Sequence, residues 1–175
     1  MINGLLQLSR VNTHGGYFEP VDLTLLVEDI TSDLESRILT TQGEVIIEKL
    51  PVIEADMMQM RQLLQNLISN GLKFHQPNAA PVVRVSSQVI PGTPGAPAQL
   101  LLKVADNGIG FDIETFERIL QPFQRLHGRS EYEGTGIGLA ICKRIIDRHQ
   151  GKLEAQSQPG KGSTFLITLP VRQTT

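Results

Sequence analysis

The sequence predicts an α/β protein of two layers: a mixed, largely antiparallel sheet of about five strands with three main helices on one face. Two observations lead to this class. Apolar residues recur at helical spacing in three separate stretches, and several shorter segments alternate between apolar and polar residues. With 175 residues, of which 40% are hydrophobic, the chain can bury one good core between these layers.

The first elements are short. Residues 1–13 carry apolar side chains at helical spacing and end at a Gly-Gly pair, which predicts an N-terminal helix. Residues 18–21 are predicted as a strand, and Asp22 as the N-cap of the next helix. The buried stripe of that helix is expected to consist of Leu26, Val27, Ile30, Leu34 and Ile38.

The middle of the chain contains the longest predicted helix. Alternating residues 44–49 predict a strand, which the following Leu-Pro pair ends. A helix is then predicted from about residue 56 to residue 75. Its apolar side is expected to consist of Met60, Leu64, Leu67, Ile68 and Gly71, and its opposite side of Gln59, Gln62, Asn66, Asn70 and Lys73.

The second half of the chain contributes most of the sheet. Four alternating segments are predicted as strands: residues 82–90, 100–105, 151–157 and 164–170. The Pro- and Gly-rich residues 91–97 predict a surface loop between the first two. Residues 121–136 predict a long polar loop, and the apolar run 139–146 predicts the last helix.

The polar side of the long helix has an unusual composition. A solvated helix face normally carries Glu and Lys, whereas this one is mostly amides, and Asn is a poor residue for a helix interior. Asn66 and Asn70, one turn apart, offer oxygen ligands, and Lys73 adds a cation. This set suits a hydrated Mg²⁺ with its phosphates, because magnesium prefers hard oxygen ligands and keeps several waters.

Two glycine clusters follow this helix, and each predicts a place where the backbone comes close to something that a side chain would block. Asp106 heads the first, Asp-Asn-Gly-Ile-Gly, and the second, Gly-Thr-Gly-Ile-Gly from residue 134, runs into the last helix. A glycine-rich turn that opens a helix presents free N–H groups, which suit phosphate. A single cluster would be read as an ordinary turn. The carboxylate, the phosphate cradle and the amide face together indicate a purine triphosphate site.

Two familiar glycine motifs do not fit. A Walker-type loop requires glycine at an upstream position that the segment 156–164 lacks. The dinucleotide fingerprint requires a third glycine where the two clusters have Ile113 and Leu139.

These motifs resemble those of the catalytic, ATP-binding domain of sensor histidine kinases, which share the Bergerat fold with gyrase, mismatch-repair and chaperone ATPases. Residues 65–74 resemble the N box, 106–111 the first G box, Phe123 the F box, 134–140 the second G box and 159–165 the last glycine turn. The resemblance extends to about residue 170. The run 123–151 is most similar to phytochrome-like and other multi-sensor bacterial kinases.

The resemblance implies a role for each matching residue. Asp106 would accept a hydrogen bond from the exocyclic amine of adenine, and Asn70 would bind Mg²⁺. The loop 121–136 resembles the ATP lid. Its cations closest to the expected γ-phosphate are Arg125, His127 and Arg129, and which of them contacts the phosphate stays open. The implied catalytic set is Asn66, Asn70, Lys73 and Arg125. The implied nucleotide contacts are Asn66, Asn70, Lys73, Phe74, Asp106, Gly108, Gly110, Phe123, Arg129, Gly134, Thr135, Gly136, Gly138, Leu139 and Thr164.

Position 66 bears on the type of reaction. Relatives that hydrolyse ATP have Glu at the equivalent position, where it activates water. Asn66 cannot accept a proton at neutral pH, which favours transfer to a histidine over hydrolysis. Two alternatives remain: a nucleotide-binding signalling module without catalysis, and an ATP hydrolase of the same fold.

The acceptor histidine is expected outside this chain. In the family it precedes an acidic residue on a helix upstream, whereas His14 precedes two glycines. We therefore expect residues 1–16 to be the tail of the dimerisation helix and residues 17–175 to be the catalytic domain. The expected partners are that upstream dimerisation domain and a response regulator receiver domain, and the domain itself is expected to be monomeric.

Composition limits the remaining classes. A net charge of −2 and the absence of a basic stripe with interleaved aromatic residues argue against nucleic-acid binding and direct membrane contact. No apolar run approaches the roughly 20 residues that span a bilayer. The single cysteine, Cys142, is expected to be a packed thiol and fits a reducing, cytoplasmic location.

Overall fold

The computed structural model describes residues 5–6, 8–10, 15–124 and 137–173. Its strands are β1 (Glu19–Asp22), β2 (Glu44–Ile47), β3 (Val52–Ala55), β4 (Val82–Ile90), β5 (Gln99–Asp106), β6 (Lys152–Ser157) and β7 (Ser163–Pro170). Its helices are α1 (Leu23–Asp33), α2 (Glu35–Thr41), α3 (Met57–Lys73), α4 (Phe116–Ile119) and α5 (Gly138–Arg148), with a 3₁₀ turn at Ile113–Thr115.

The main sheet has five strands in the order β2-β4-β5-β7-β6. Strand β2 runs parallel to β4, and the other neighbouring strands are antiparallel. The predicted mixed, largely antiparallel sheet is therefore confirmed. A separate two-stranded sheet joins β1 to β3.

One core lies between the sheet and the helices. Strands β4, β5 and β7 turn every second side chain inwards, and the inward residues are Val83, Val85, Leu100, Leu102, Val104, Phe165, Ile167 and Leu169, all buried. Helices α1, α3 and α5 cover this face with buried stripes of their own, such as Ile30, Leu67 and Ile145. The predicted two-layer arrangement is confirmed.

Three parts of the fold differ from the sequence prediction, and one of them, the 3₁₀ turn with helix α4, was not predicted. The helix predicted after Asp22 is divided at Leu34, whose φ of −94° and ψ of 9° leave the helical region, so it forms α1 and α2. Its predicted stripe holds in α1, whereas Leu34 and Ile38 are only partly buried. Strand β3 was not predicted, and its pairing with β1 defines it.

The terminal and loop predictions have different outcomes. Residues 5–6 and 8–10 of the predicted N-terminal helix are helical, and the rest of residues 1–13 lies outside the described residues. The segment 91–97 is an exposed loop, as predicted. Of the predicted polar loop 121–136, the structure describes residues 121–124.

A buried polar cluster anchors the N-terminal end of α3. Asp56 caps the helix by accepting the backbone N–H of Gln59 at 3.1 Å, and it accepts Arg148 Nη1 at 3.0 Å and the N–H of Gly16 at 2.6 Å. Arg148 Nη1 also donates to Gln59 Oε1 at 2.7 Å. Gln59 is consequently buried, and its assignment to the solvated amide face was wrong. The cluster joins α3, the end of α5 and the N-terminal segment.

His149 completes this cluster as a neutral side chain. The backbone N–H of Asp56 donates to His149 Nε2 at 3.1 Å, so the proton of the ring is on Nδ1, which donates to the carbonyl of Ile145 at 2.8 Å. Burial lowers the pKa of His149. This histidine is therefore a structural residue that links the start of α3 to the end of α5.

In the parts of the chain that the structure describes, no helix is both long and apolar enough to cross a membrane.

Candidate functional site

Helix α3 carries the amide side chains to the edge of the sheet. Its buried stripe, which includes Met60, Leu64, Leu67, Ile68 and Gly71, is confirmed. Asn66, Asn70 and Lys73 are half-buried on the other side of the helix. The Lys73 ammonium lies 4.5 Å from the centroid of the Phe74 ring, and Phe74 ends the helix. The last two turns of α3 therefore present two amides and a cation beside one another.

The amide of Asn66 is held by helix α5. Asn66 Nδ2 donates to the carbonyl oxygen of Gly138 at 3.3 Å, and the buried thiol of Cys142, one turn further along α5, donates to the carbonyl oxygen of Leu63. Burial raises the pKa of the Cys142 thiol to about 12, so this packed sulfur stays protonated. Because the Asn66 nitrogen is directed at α5, the amide oxygen is the atom available to a ligand.

Gly71 brings Asp106 close to α3. A Cβ at position 71 would lie 2.6 Å from Val83 Cγ2 and 3.2 Å from Asp106 Cβ, so glycine permits the close approach of the helix to β4 and β5. Position 66 and position 71 are roughly 7 Å apart along the helix axis. Helix α3 therefore connects the region of Asn66 with that of Asp106.

Asp106 ends β5 as a half-buried carboxylate. Its Oδ1 accepts the N–H of Gly108 at 2.9 Å and that of Ser163 at 3.3 Å. Burial raises the pKa of Asp106 to about 6, although these two hydrogen bonds act in the opposite direction. In the described part of the chain both hydrogen bonds end on Oδ1. The geometry therefore leaves Oδ2 for a donor that a ligand supplies.

The first glycine cluster packs directly against its surroundings. A Cβ at Gly108 would collide with the carbonyl oxygen of Phe74, and one at Gly110 would collide with that of Gln158. Gly110 also has a φ of +66°, which disfavours other residues. The predicted reason for these glycines, a close approach of backbone, is confirmed, and the neighbour that each meets is the protein itself.

Asn107, between Asp106 and Gly108, is a structural residue. Its Oδ1 accepts the N–H of Val82 at 2.8 Å, and its Nδ2 donates to the carbonyl of Ala80 at 3.1 Å. These bonds attach the cluster to the segment before β4.

The second glycine cluster is described only at its end. Gly134, Thr135 and Gly136 lie outside the described residues, as do Arg125, His127 and Arg129. Gly138 begins α5, and its N-cap residue Ile137 forms no side-chain hydrogen bond to the helix. A Cβ at Gly138 would be in ordinary contact with Asn66, 3.8 Å from its Cγ, so packing does not require glycine there. The first N–H groups of α5, including those of Gly138 and Leu139, point from the helix end as an anion site needs.

Strand β7 places Ser163, and not Thr164, beside Asp106. Ser163 pairs with Asp106, whereas Thr164 pairs with Ala105 and takes the opposite face of the sheet. Ser163 is buried and its Oγ lies 2.9 Å from that of Ser157. Strand alternation could have revealed this, because Ser163 shares its face with the apolar Phe165.

Phe123 stands apart from the other candidates. It has a φ of +66° and a side chain that is 38% exposed. Among the described residues, no ring contact joins it to the aromatic group of Phe111, Phe116 and Phe165.

Together these residues form one site along α3. Asp106 and the glycine turn lie at one end, and Asn66 with the start of α5 lies at the other. A purine amine needs an acceptor, and phosphates need N–H groups and cations, so this arrangement is typical of a nucleotide-binding domain.

Comparison with known proteins identifies the family. Residues 55–173 match the family model described as histidine kinase-, DNA gyrase B-, and HSP90-like ATPase. The chain is 38% identical over 171 residues to the phytochrome-like protein Cph1 of Synechocystis, an alignment that covers 98% of this chain and 22% of Cph1. The chain therefore belongs to this ATPase family, and it spans about a fifth of the length of the curated relatives it matches.

Solved structures agree with this assignment. Full-length ShkA in complex with AMPPNP superimposes with a TM-score of 0.80 at 25% identity, covering 99% of this chain and 36% of ShkA. The mycobacterial sensor histidine kinase MprB gives a TM-score of 0.70 at 25% identity, covering 90% of this chain and 99% of that structure. Within its family, the chain is an ATP-binding catalytic domain of the histidine kinase type.

Proposed function

We propose that this domain binds Mg·ATP along α3 and transfers the γ-phosphate to a histidine of an upstream dimerisation domain. The adenine amine would donate to Asp106 Oδ2, next to the turn of Gly108 and Gly110. The phosphates would extend towards Asn66, Asn70 and Lys73. The first N–H groups of α5 support this orientation, because an anion is stabilised at a helix N-terminus.

The amide face fits a magnesium ion that the nucleotide brings with it. No group of three or more His, Cys, Asp or Glu side chains that could hold a metal occurs in the described residues. An ion coordinated by phosphate oxygens, waters and one amide oxygen needs no such group, and we assign the amide to Asn70. When bound, Mg²⁺ neutralises phosphate charge, and Lys73 adds to this effect.

The observation that carries the kinase proposal is the amide at position 66. Its nitrogen donates to the Gly138 carbonyl, so the side chain is oriented by α5 but offers no group that can take a proton from water. An imidazole nucleophile needs no such base, because its neutral ring nitrogen already carries a free electron pair. Asn66 therefore favours phosphotransfer over hydrolysis.

The reaction that we propose is balanced without a further reactant. The unprotonated imidazole nitrogen forms a bond to the γ-phosphorus, the bond from that phosphorus to the bridging oxygen breaks, and ADP leaves with the electron pair. The phosphorylated ring, now cationic, releases the proton of its other nitrogen to water. We propose that residues 1–16 are the tail of the dimerisation helix that precedes the domain, and that a receiver domain takes the phosphate afterwards. The lid cations Arg125 and Arg129 remain part of this proposal.

The test follows radiolabelled γ-phosphate over time. We expect the domain alone to bind Mg·ATP but neither to phosphorylate itself nor to hydrolyse ATP appreciably. With the dimerisation domain of the same protein added, an acid-labile phosphohistidine should form on that partner, slowly because the two parts are not tethered. Rapid phosphate release by the domain alone would identify a hydrolase. Binding without any transfer to an intact partner would identify an inert nucleotide-binding module.

A second experiment tests the metal assignment. Asn70→Ala should abolish the Mg²⁺ dependence of nucleotide binding while the melting temperature without nucleotide stays the same or rises slightly, since alanine is the better helix former. Calorimetry with and without Mg²⁺ measures the first effect. Gln62→Ala, on the same side of α3 but two turns earlier, is the matched control. If Asn70→Ala unfolds the nucleotide-free domain, Asn70 is a structural residue and its assignment as a ligand is wrong.

A further inference from the structure

The side chain of Gln76 joins two turns that are far apart in the sequence. It is half-buried just beyond the end of α3, and its nitrogen Nε2 donates to the carbonyl oxygen of Gly108 at 3.3 Å and to that of Gly160 at 2.9 Å. A carboxamide nitrogen carries two hydrogens, so one side chain can serve both carbonyls.

Backbone hydrogen bonds connect the same three segments. The N–H of Ile109 donates to the carbonyl of Phe74 at 2.9 Å, and the N–H of Gly160 donates to the carbonyl of Ile109 at 2.6 Å. Gln76 therefore closes a ring that contains the end of α3, the turn after β5 and the turn before β7. Gln76 makes its two bonds in this ring through a side chain, so a substitution can remove them without changing the backbone.

Both turns in the ring contact Asp106. The turn after β5 donates the N–H of Gly108 to Asp106 Oδ1, and the turn before β7 leads into Ser163, whose N–H donates to the same oxygen. Gly162 packs so tightly there that a Cβ would collide with the carbonyl oxygen of Asp106. The separation of the two turns therefore sets the direction of the carboxylate.

We propose that Gln76 is a positioning residue for base recognition, which holds the two turns so that Asp106 Oδ2 meets the exocyclic amine of adenine. It touches neither the phosphates nor the carboxylate, and it acts through the carbonyls of Gly108 and Gly160. This inference rests on the nucleotide site proposed above. Its consequence is that Gln76 contributes to the preference for adenine over guanine, which offers a carbonyl where adenine has its amine.

The ratio of the GTP to the ATP dissociation constant measures this preference, because the two nucleotides share their phosphates. We expect Gln76→Ala to lower the ratio roughly three- to tenfold. This is the effect expected when the hydrogen bond between Asp106 and the adenine amine is lost. Gln76→Glu, of nearly the same shape, should lower it at least as much, because an acceptor would then face two carbonyl oxygens. Displacement of a fluorescent ATP analogue by each nucleotide gives both constants, and circular dichroism checks the fold. Gln88→Ala, at an exposed position of β4, is the control and should leave the ratio unchanged.

Asp106→Asn in the same assay separates this inference from the proposed site. If Asp106→Asn lowers the ratio and both folded Gln76 variants keep it, Gln76 is merely structural and the inference is overturned. If Asp106→Asn also keeps the ratio, the base-binding site itself is wrong. A lower ratio in both Gln76 variants with an unchanged fold supports the inference, since a purely structural residue would weaken ATP and GTP alike.

Discussion

Replacing Asp106 by Asn is expected to weaken ATP binding about tenfold to a hundredfold. The new side chain can keep an oxygen at the position of Oδ1, where it still accepts the N–H groups of Gly108 and Ser163, so the fold should persist. The atom at the position of Oδ2 becomes an NH₂ group. This group is a hydrogen-bond donor, and it would face the adenine amine, which is also a donor. The loss of a charged hydrogen bond in a partly buried site corresponds to roughly 1.5–3 kcal/mol.

Calorimetric titration with Mg·ATP measures this effect. Asp112→Asn is a matched control, because the same change is made at an exposed residue that caps the 3₁₀ turn. We expect the control to bind ATP as the parent does. Equal ATP affinity in Asp106→Asn, or equal binding of GTP and ATP by the parent, would show that Asp106 does not recognise the base.

Replacing Asp56 by Ala is expected to produce the largest loss of stability in the domain. The carboxylate is buried, with its side chain 3% exposed, and it accepts hydrogen bonds from Arg148, Gly16 and the first turn of α3. Removing one partner of a buried ion pair lowers the free energy of unfolding by roughly 3–5 kcal/mol. Because the Arg148 side chain is 19% exposed and can be partly solvated, we expect a loss at the lower end of this range, about 3 kcal/mol. For a domain of this size the melting temperature would fall by roughly 6–12 °C.

Asp22→Ala provides the comparison for this loss. Asp22 caps α1 by accepting the N–H of Leu25 at 3.2 Å in an exposed position. Loss of a cap alone costs about 1 kcal/mol, or roughly 2–4 °C. Thermal unfolding followed by circular dichroism distinguishes the two variants. Equal shifts would mean that Asp56 acts only as a helix cap and that the cluster around Arg148 adds no stability.

The elements that could be predicted from the sequence are those whose cause is local. The apolar stripe of α3 repeats every three or four residues over 17 residues, and its amides stand out because they oppose helix propensity. Asp22 was identified as a cap from its own residue type. The glycines of the first cluster marked a close approach of backbone, which follows from the missing Cβ alone.

Other features were decided by residues that meet only in the folded chain. Gln59 has the sequence position of a solvated amide, but Arg148, at the far end of α5, buries it. The segment after Pro51 becomes strand β3 only because β1 pairs with it. The choice of Ser163 over Thr164 depends on the register of β7 against β5, which sets the face that each side chain takes.

The candidate site follows the same division. The sequence alone determined which residue types are available: a carboxylate at the head of a glycine turn, two amides and a lysine on one helix face, and a glycine at the start of α5. The tertiary structure decided how these residues are oriented, since Gly108 and Ser163 direct Asp106, the Gly138 carbonyl directs Asn66, and Gln76 joins the turns around them. Except for the bond between Gly108 and Asp106, which are two residues apart, these hydrogen bonds join residues that are distant in the sequence. Their separation in space depends on strand register and on the packing of helices on the sheet, and no local pattern of residues encodes it.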